Sequence, residues 1–285
     1  MNVSEDAMNV PEDANDLRGF HFKQLLRRPV TWLVIAIFVL VVGIATAVYL
    51  GAAIGAGAAG AMLLVSLLIV FAIADSRAED AFFTTYAQQR QLALAGRSPL
   101  PPATPLLRKG DERYAERTLS GSLADGVEGA LALYTYEEES TDSKGNRQTD
   151  YYRYTLGLVD VPECAAHIPE LICQRKFGLR ALEGLEDAFR AKERVRLESA
   201  ALEERYEIFA GAEQDQVWLR RLFSPTFVVW LGEEAPEKFA FELVGGVLCC
   251  YVSGHKKSSA QLDAVSAASA AVARRLREEA LETSA

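Results

Sequence analysis

At 285 residues the chain has room for a membrane module and one soluble domain of ordinary size. Its formal net charge is −9, and residues 77–285 alone hold 33 acidic against 26 basic side chains, a charge of −7. Nucleic-acid affinity rests on counterion release by clustered Lys and Arg, so this balance argues against a polynucleotide partner.

Residues 1–29 open with an acidic near-repeat, Met1 to Ala7 and then Met8 to Ala14, and close on the bases Arg18, Lys23, Arg27 and Arg28. The repeat has neither helical nor strand periodicity and is expected to be disordered, ahead of a basic juxtamembrane segment.

Residues 30–74 contain no Asp, Glu, Lys, Arg or His. As one helix they would extend about 68 Å, roughly twice the ~30 Å hydrocarbon core of a bilayer. The small, helix-poor run Gly51 to Gly60 divides the block into spans at 30–50 and 54–74, each about 31 Å long. Trp32 and Tyr49 fall near the ends of the first span, where amphipathic rings favour the headgroup level. A cleaved signal peptide fits poorly, because the leader is long, the apolar run is long and a second span follows at once.

Orientation follows from Lys and Arg near the span ends. Arg18, Lys23, Arg27 and Arg28 precede the first span, Arg77, Arg90 and Arg97 follow the second, and the turn has none. Both termini are expected on the cytoplasmic side of an inner (plasma) membrane. Cys164, Cys173, Cys249 and Cys250 show no disulfide-framework spacing, which agrees with a reducing compartment.

Beyond the spans, residues 75–97 are expected to continue as a juxtamembrane helix. The Pro-rich segment 98–108 forms an extended linker, since each proline removes a donor and restricts its predecessor. Residues 109–285 form the remaining domain. Alternating apolar residues predict strands at 118–123, 130–137 and 151–159, with an exposed loop at 141–147. Further strands are expected at 171–176, 194–198 and 206–209, and helical segments at 179–190, from Ser199, and at 215–223. Ser224-Pro225 reads as an N-cap with proline in the first helical position, opening a helix through Leu231. Gly245-Gly246 between 239–244 and 247–252 is a two-residue hairpin signal. A long helix at 258–279 closes the chain, its apolar stripe expected to dock on the sheet. The fold class is therefore α+β: a two-helix transmembrane hairpin followed by a cytoplasmic domain with antiparallel sheet and packed helices.

The two spans, the segment Arg205 to Phe209, the segment Gln216 to Trp230 and the late hairpin together resemble an uncharacterised bacterial family of two-span integral membrane proteins with a cytoplasmic domain of unknown function. The Ala- and Arg-rich style is actinobacterial-like. These are packing patterns, so the resemblance implies architecture and no activity.

Chemistry-bearing motifs are sparse. Cys164, His167 and Cys173 offer zinc-like donors, but a structural site needs four ligands, so no metal and no cofactor is assigned. Cys249-Cys250 sits in a strand whose neighbours face opposite ways, and a nucleophile using His167 or His255 has no supporting signature. Glu137 to Glu139 with Asp142 read as solvated loop-flanking acids, and Gly121-Ser122 lacks the context of a phosphate loop. Trp218, Arg220, Arg221 and Phe223 form a candidate partner face, because Trp and Arg are enriched where proteins meet. Small pairs such as Gly43 with Ala47 and Gly51 with Gly55 suit close helix approach, either within the hairpin or between copies in a homo-oligomer. With no ionisable group in the spans, the membrane part reads as an anchor. The leading expectation is a non-enzymatic binding or scaffold domain tethered to the bilayer. The alternatives are a membrane-bound enzyme or a pore or transport accessory subunit.

Overall fold

The computed structural model describes residue 13 and residues 29–141, 145–176, 192–196, 199–212 and 214–284. The acidic repeat apart from Asp13, together with Arg18, Lys23, Arg27 and Arg28, Asp142 and the helix expected at 179–190, lies outside the described residues. The chain divides into two compact units, residues 1–86 with 257–259, and residues 87–256 with 260–285.

The first unit is built on helices α1 (Pro29–Leu50) and α2 (Ala52–Arg90). Both are long and apolar enough to cross a membrane, and only 6% of each apolar window is buried, unlike a core helix of a soluble protein. Exposed Leu33, Phe38, Leu40, Val41, Leu64 and Leu68 make a surface that water would not tolerate and lipid does. The turn is tighter than its glycine-rich composition suggests. Gly51 alone separates the helices, with φ at +99°, a conformation that side chains resist. Its amide donates to Ala47 O and its carbonyl accepts from Gly55 N, both at 3.0 Å, so the helix restarts at once. Gly57 and Gly60 are consequently helical.

Small residues hold the hairpin together. A Cβ on Gly43 would meet Ala59 Cβ at 3.1 Å, and one on Gly55 would meet Ala47 Cβ at 2.5 Å. The small-residue signal is thus used between α1 and α2 of one chain. Ser66 Oγ donates to Met62 O at 2.8 Å, and Thr46 Oγ1 likewise donates to Val42 O, so neither hydroxyl is left unsatisfied in the apolar region. Helix α2 is 39 residues long, about 58 Å, so it continues well beyond its charge-free part. It ends at Arg90, short of the expected 97. Gln91 adopts φ +55° and Leu92 N bonds back to Ala87 O at 2.8 Å, a Schellman-type stop.

Among the described residues the second unit carries a nine-stranded sheet. Its strands are β1 (Ala93–Ala95), β2 (Glu112–Ser122), β3 (Glu128–Thr141), β4 (Arg147–Asp160), β5 (Glu170–Arg175), β6 (Lys192–Val195), β7 (Tyr206–Gly211), β8 (Ala240–Val244) and β9 (Val247–Ser253). Their order is β1-β2-β3-β4-β9-β8-β5-β7-β6, with every neighbouring pair antiparallel. The class is α+β as expected. Gly245 and Gly246, at φ +56° and +84°, make the tight β8–β9 turn, and Val244 faces Val247 across it.

The helical elements are α3 (Pro105–Arg108), α4 (Ala200–Arg205), α5 (Gln216–Leu222), α6 (Pro225–Glu233) and α7 (Ser259–Ser284). Helix α7 buries Leu262, Val265, Val272 and Leu276, the stripe predicted to dock. Its Ala and Ser residues permit close approach to the sheet. Gly157 in β4 lies directly beneath Ser269, whose hydroxyl donates to Val265 O at 2.8 Å, and a Cβ on Gly157 would fall 1.9 Å from Ser269 Oγ.

Overpacking a fitted core costs about 1–3 kcal/mol or more. Gly157→Ala is therefore expected to lower the thermal midpoint of the full chain in detergent, followed by near-UV circular dichroism, and Ser269→Gly in the same chain should restore part of the loss.

Candidate functional site

The segment singled out as a partner face is split by its own periodicity. Helix α5 starts at Asp215, whose Oδ1 accepts from Val217 N at 2.8 Å, and α6 starts at Ser224, with Pro225 in its first turn. Trp218 and Phe223 turn inward, with 2% and 5% of their surface exposed, whereas Arg220 and Arg221 face outward. The structure does not bring the four together as one surface.

What α5 offers is completed by α7. Arg275 Nε donates to Leu222 O at 3.1 Å, and its Nη2 reaches Arg221 O and, at 3.2 Å, Glu279 Oε2. The Glu279 side chain is 1% exposed, and Arg221 Nη1 approaches its second oxygen at 3.9 Å. A carboxylate so buried is tolerable only when paired, and removing one partner of such a pair costs about 3–5 kcal/mol. Arg275 therefore ties the end of α5 to α7.

Beside this clamp lies an open groove of about 890 Å³ between α6 and α7. Phe227 and Trp230 form one wall, stacked nearly parallel with centroids 5.5 Å apart, and Val229 stands 51% exposed at the rim. Ala271, Arg274, Arg275 and Glu278 form the other wall. Arg274 meets Asp125 at 2.9 Å in a half-exposed ion pair, which solvent leaves easily exchanged. Aromatic area next to an exchangeable arginine is a chemistry suited to holding a peptide-like segment.

A second constellation was not anticipated. The Pro-rich segment at 98–109 crosses the face of the sheet opposite α7, as a strap. Ser98 and Ala115 exchange backbone hydrogen bonds at 3.0 and 2.8 Å, and Arg108 braces the segment internally by donating to Pro102 O and Ala103 O, each at 2.9 Å. Leu106 and Leu107 are buried against Tyr134, Tyr136, Tyr154 and Tyr251. Under them lies Glu242 of β8, fully buried, whose Oε2 accepts from Leu106 N at 3.0 Å. Tyr134 OH donates to Leu106 O at 3.2 Å. The available signal was Glu242 itself, the one charged residue in the run Phe239 to Val244. What it serves depends on a residue 136 positions earlier.

The remaining motifs are dispersed or sealed. All four cysteines are buried and free. Burial pushes the Cys164 thiol up to about 12 and raises those of Cys173, Cys249 and Cys250 as well, so none is a thiolate at neutral pH. Among the described residues no group of three or more His, Cys, Asp or Glu side chains is placed to hold a metal ion. His255 is held by Tyr134 O at 3.1 Å and Thr135 Oγ1 at 3.3 Å, with its Nδ1 at 3.8 Å from Glu116, and burial lowers its pKa. Glu137 accepts from Tyr114 OH at 2.9 Å, and the Glu139 amide donates to Asp111 at 2.8 Å. Gly121 ends β2 beside Leu92, not in a phosphate loop.

No protein-family model matches the chain, and no curated protein matches it. Among solved structures, the crystal structure of the mycobacterial trehalose monomycolate transport factor A is similar, at 10% sequence identity and a TM-score of 0.43, over 71% of this chain and 94% of that one. A likeness at that score assigns neither a family nor an activity.

A buried donor left without its acceptor costs about 1–3 kcal/mol. Glu242→Ala is therefore expected to lower stability by that order and to speed tryptic cleavage after Arg108 or Lys109. Glu242→Gln, which keeps an acceptor for Leu106 N, should do so less. Equal cleavage rates in all three proteins would mean that the carboxylate does not hold the strap.

Proposed function

We propose that this protein is a membrane-anchored docking domain, held by the α1–α2 hairpin with both termini on the cytoplasmic side of the inner membrane, and that it binds a partner protein through the α6–α7 groove. The observation that carries the reading is the groove itself: a stacked Phe227–Trp230 wall faces Arg274, whose ion pair with Asp125 is half-exposed. The occupant that fits is a short segment with an apolar or aromatic anchor followed by a carboxylate, which would displace Asp125 from Arg274. The sealed cysteines support a binding role over thiol chemistry. The Lys and Arg distribution around the spans supports the orientation, and the acidic charge beyond them disfavours a polynucleotide.

A photo-crosslinking residue at Val229 in the full chain, in its native membrane, should yield one reproducible protein adduct. Trp230→Ala or Arg274→Glu should reduce that adduct by about tenfold or more, as befits anchor residues. Adducts unchanged by both substitutions would overturn the reading. For the orientation, alkaline phosphatase fused after Glu279 should be inactive and a fluorescent protein bright. The reverse pair of results would place the domain on the other side.

A further inference from the structure

We propose that the groove between α1 and α2 is a binding site for one anionic phospholipid, with an acyl chain against the helices and the phosphate at Arg77. The site lies within the hairpin and does not depend on the α6–α7 groove.

The hairpin has two unlike halves. Near Gly51 the helices meet through Gly43, Ala47, Gly55 and Ala59, with no room for anything between them. Toward the other end the facing side chains are large, and a groove of about 460 Å³ opens between Ile35 and Phe38 on α1 and Met62, Val65, Ile69 and Ile73 on α2. Ser66, the one hydroxyl in its lining, is already committed to Met62 O. Among the described residues the groove presents apolar side chains along its length, and Arg77 is the one charged residue in its lining.

Length places that charge. From Ala52 to Arg77 the helix rises about 38 Å, beyond the ~30 Å hydrocarbon core and within the ~40–45 Å that includes the headgroups. Arg77 thus stands at phosphate level when Ala52 lies at the opposite interface. It is exposed, and among the described residues it has neither a hydrogen bond nor an ion pair. A guanidinium suits a phosphate better than an ammonium does, because its planar fork matches two phosphate oxygens and it is more weakly hydrated. The stretch from Met62 to Arg77 covers about 22 Å, one leaflet of hydrocarbon plus the approach to the headgroup. A cation without a partner among the described residues, at the mouth of a chain-length apolar groove, is the chemistry of a phospholipid, and a free phosphate would use the cation but not the groove.

The test is native mass spectrometry of the full chain released from nanodiscs of equal phosphatidylglycerol and phosphatidylcholine, counting the lipid retained. The expected result is preferential retention of phosphatidylglycerol by about fivefold, the factor of one cation at an anionic surface. Arg77→Gln should abolish the preference and Arg77→Lys should keep part of it. Ser66→Leu, which fills the groove with a residue spans accept readily, should reduce retention of both lipids. The basic residues before α1 are unchanged in every variant, so their general attraction cancels. Equal retention of the two lipids, or a preference that survives Arg77→Gln, would overturn the site. So would an Ile69→Cys chain that forms a disulfide dimer in the bilayer, since that seats a second copy in the groove; the native cysteines are buried and do not compete.

Discussion

The organisation of the second unit turns on one buried hydrogen bond, from Leu106 N to the carboxylate of Glu242. A carboxylate in the middle of a sheet is tolerable only where donors reach it, and a strap rich in proline has few amides to give. Leu106 supplies one at the point where the strap turns, and the same residue accepts from Tyr134. Once that pair is fixed, Leu106 and Leu107 can lie on the tyrosine-rich face, each contributing about 1.5–3 kcal/mol by burial. The opposite face needs no such pin, because α7 is long, apolar along one side and fitted to Gly157.

Local chemistry made much of this legible in the sequence. The charge-free block, the Gly245–Gly246 turn, the Ser224-Pro225 helix start and the stripe on α7 each depend on residues within a few positions of one another, and each is found. The turn between the two helices is shorter than the sequence suggests, because glycine composition favours a loop, whereas an alanine-rich run between glycines is helical once a single Gly51 has reversed the chain. The juxtamembrane helix stops short of residue 97 for a similar reason: nothing in Gln91 announces a left-handed stop.

Long-range pairing was not legible. The place of β9 between β4 and β8, and of β5 beside β8, is set by which buried faces match, and no single segment records it. The same limit applied to the candidate partner face. Trp218 and Phe223 carry the composition of an interface, but composition does not distinguish a helix face turned to a partner from one turned to its own core. The α6–α7 groove brings Phe227 and Trp230 beside Arg274 and Arg275, residues more than forty positions apart in sequence.

The strand order has a consequence for synthesis. The early meander ends on β4 and the later group begins on β5, and the hairpin that joins them, β8–β9, follows both in sequence. Until it arrives, two half-sheets each present an open edge, and that of β4 is apolar over Leu156, Leu158 and Val159. Open apolar edges recruit other strands, including those of neighbouring chains. A nascent chain is therefore most exposed to misassembly between the completion of β7 and the arrival of β8–β9, and any product that stops before Ala240 carries both edges permanently.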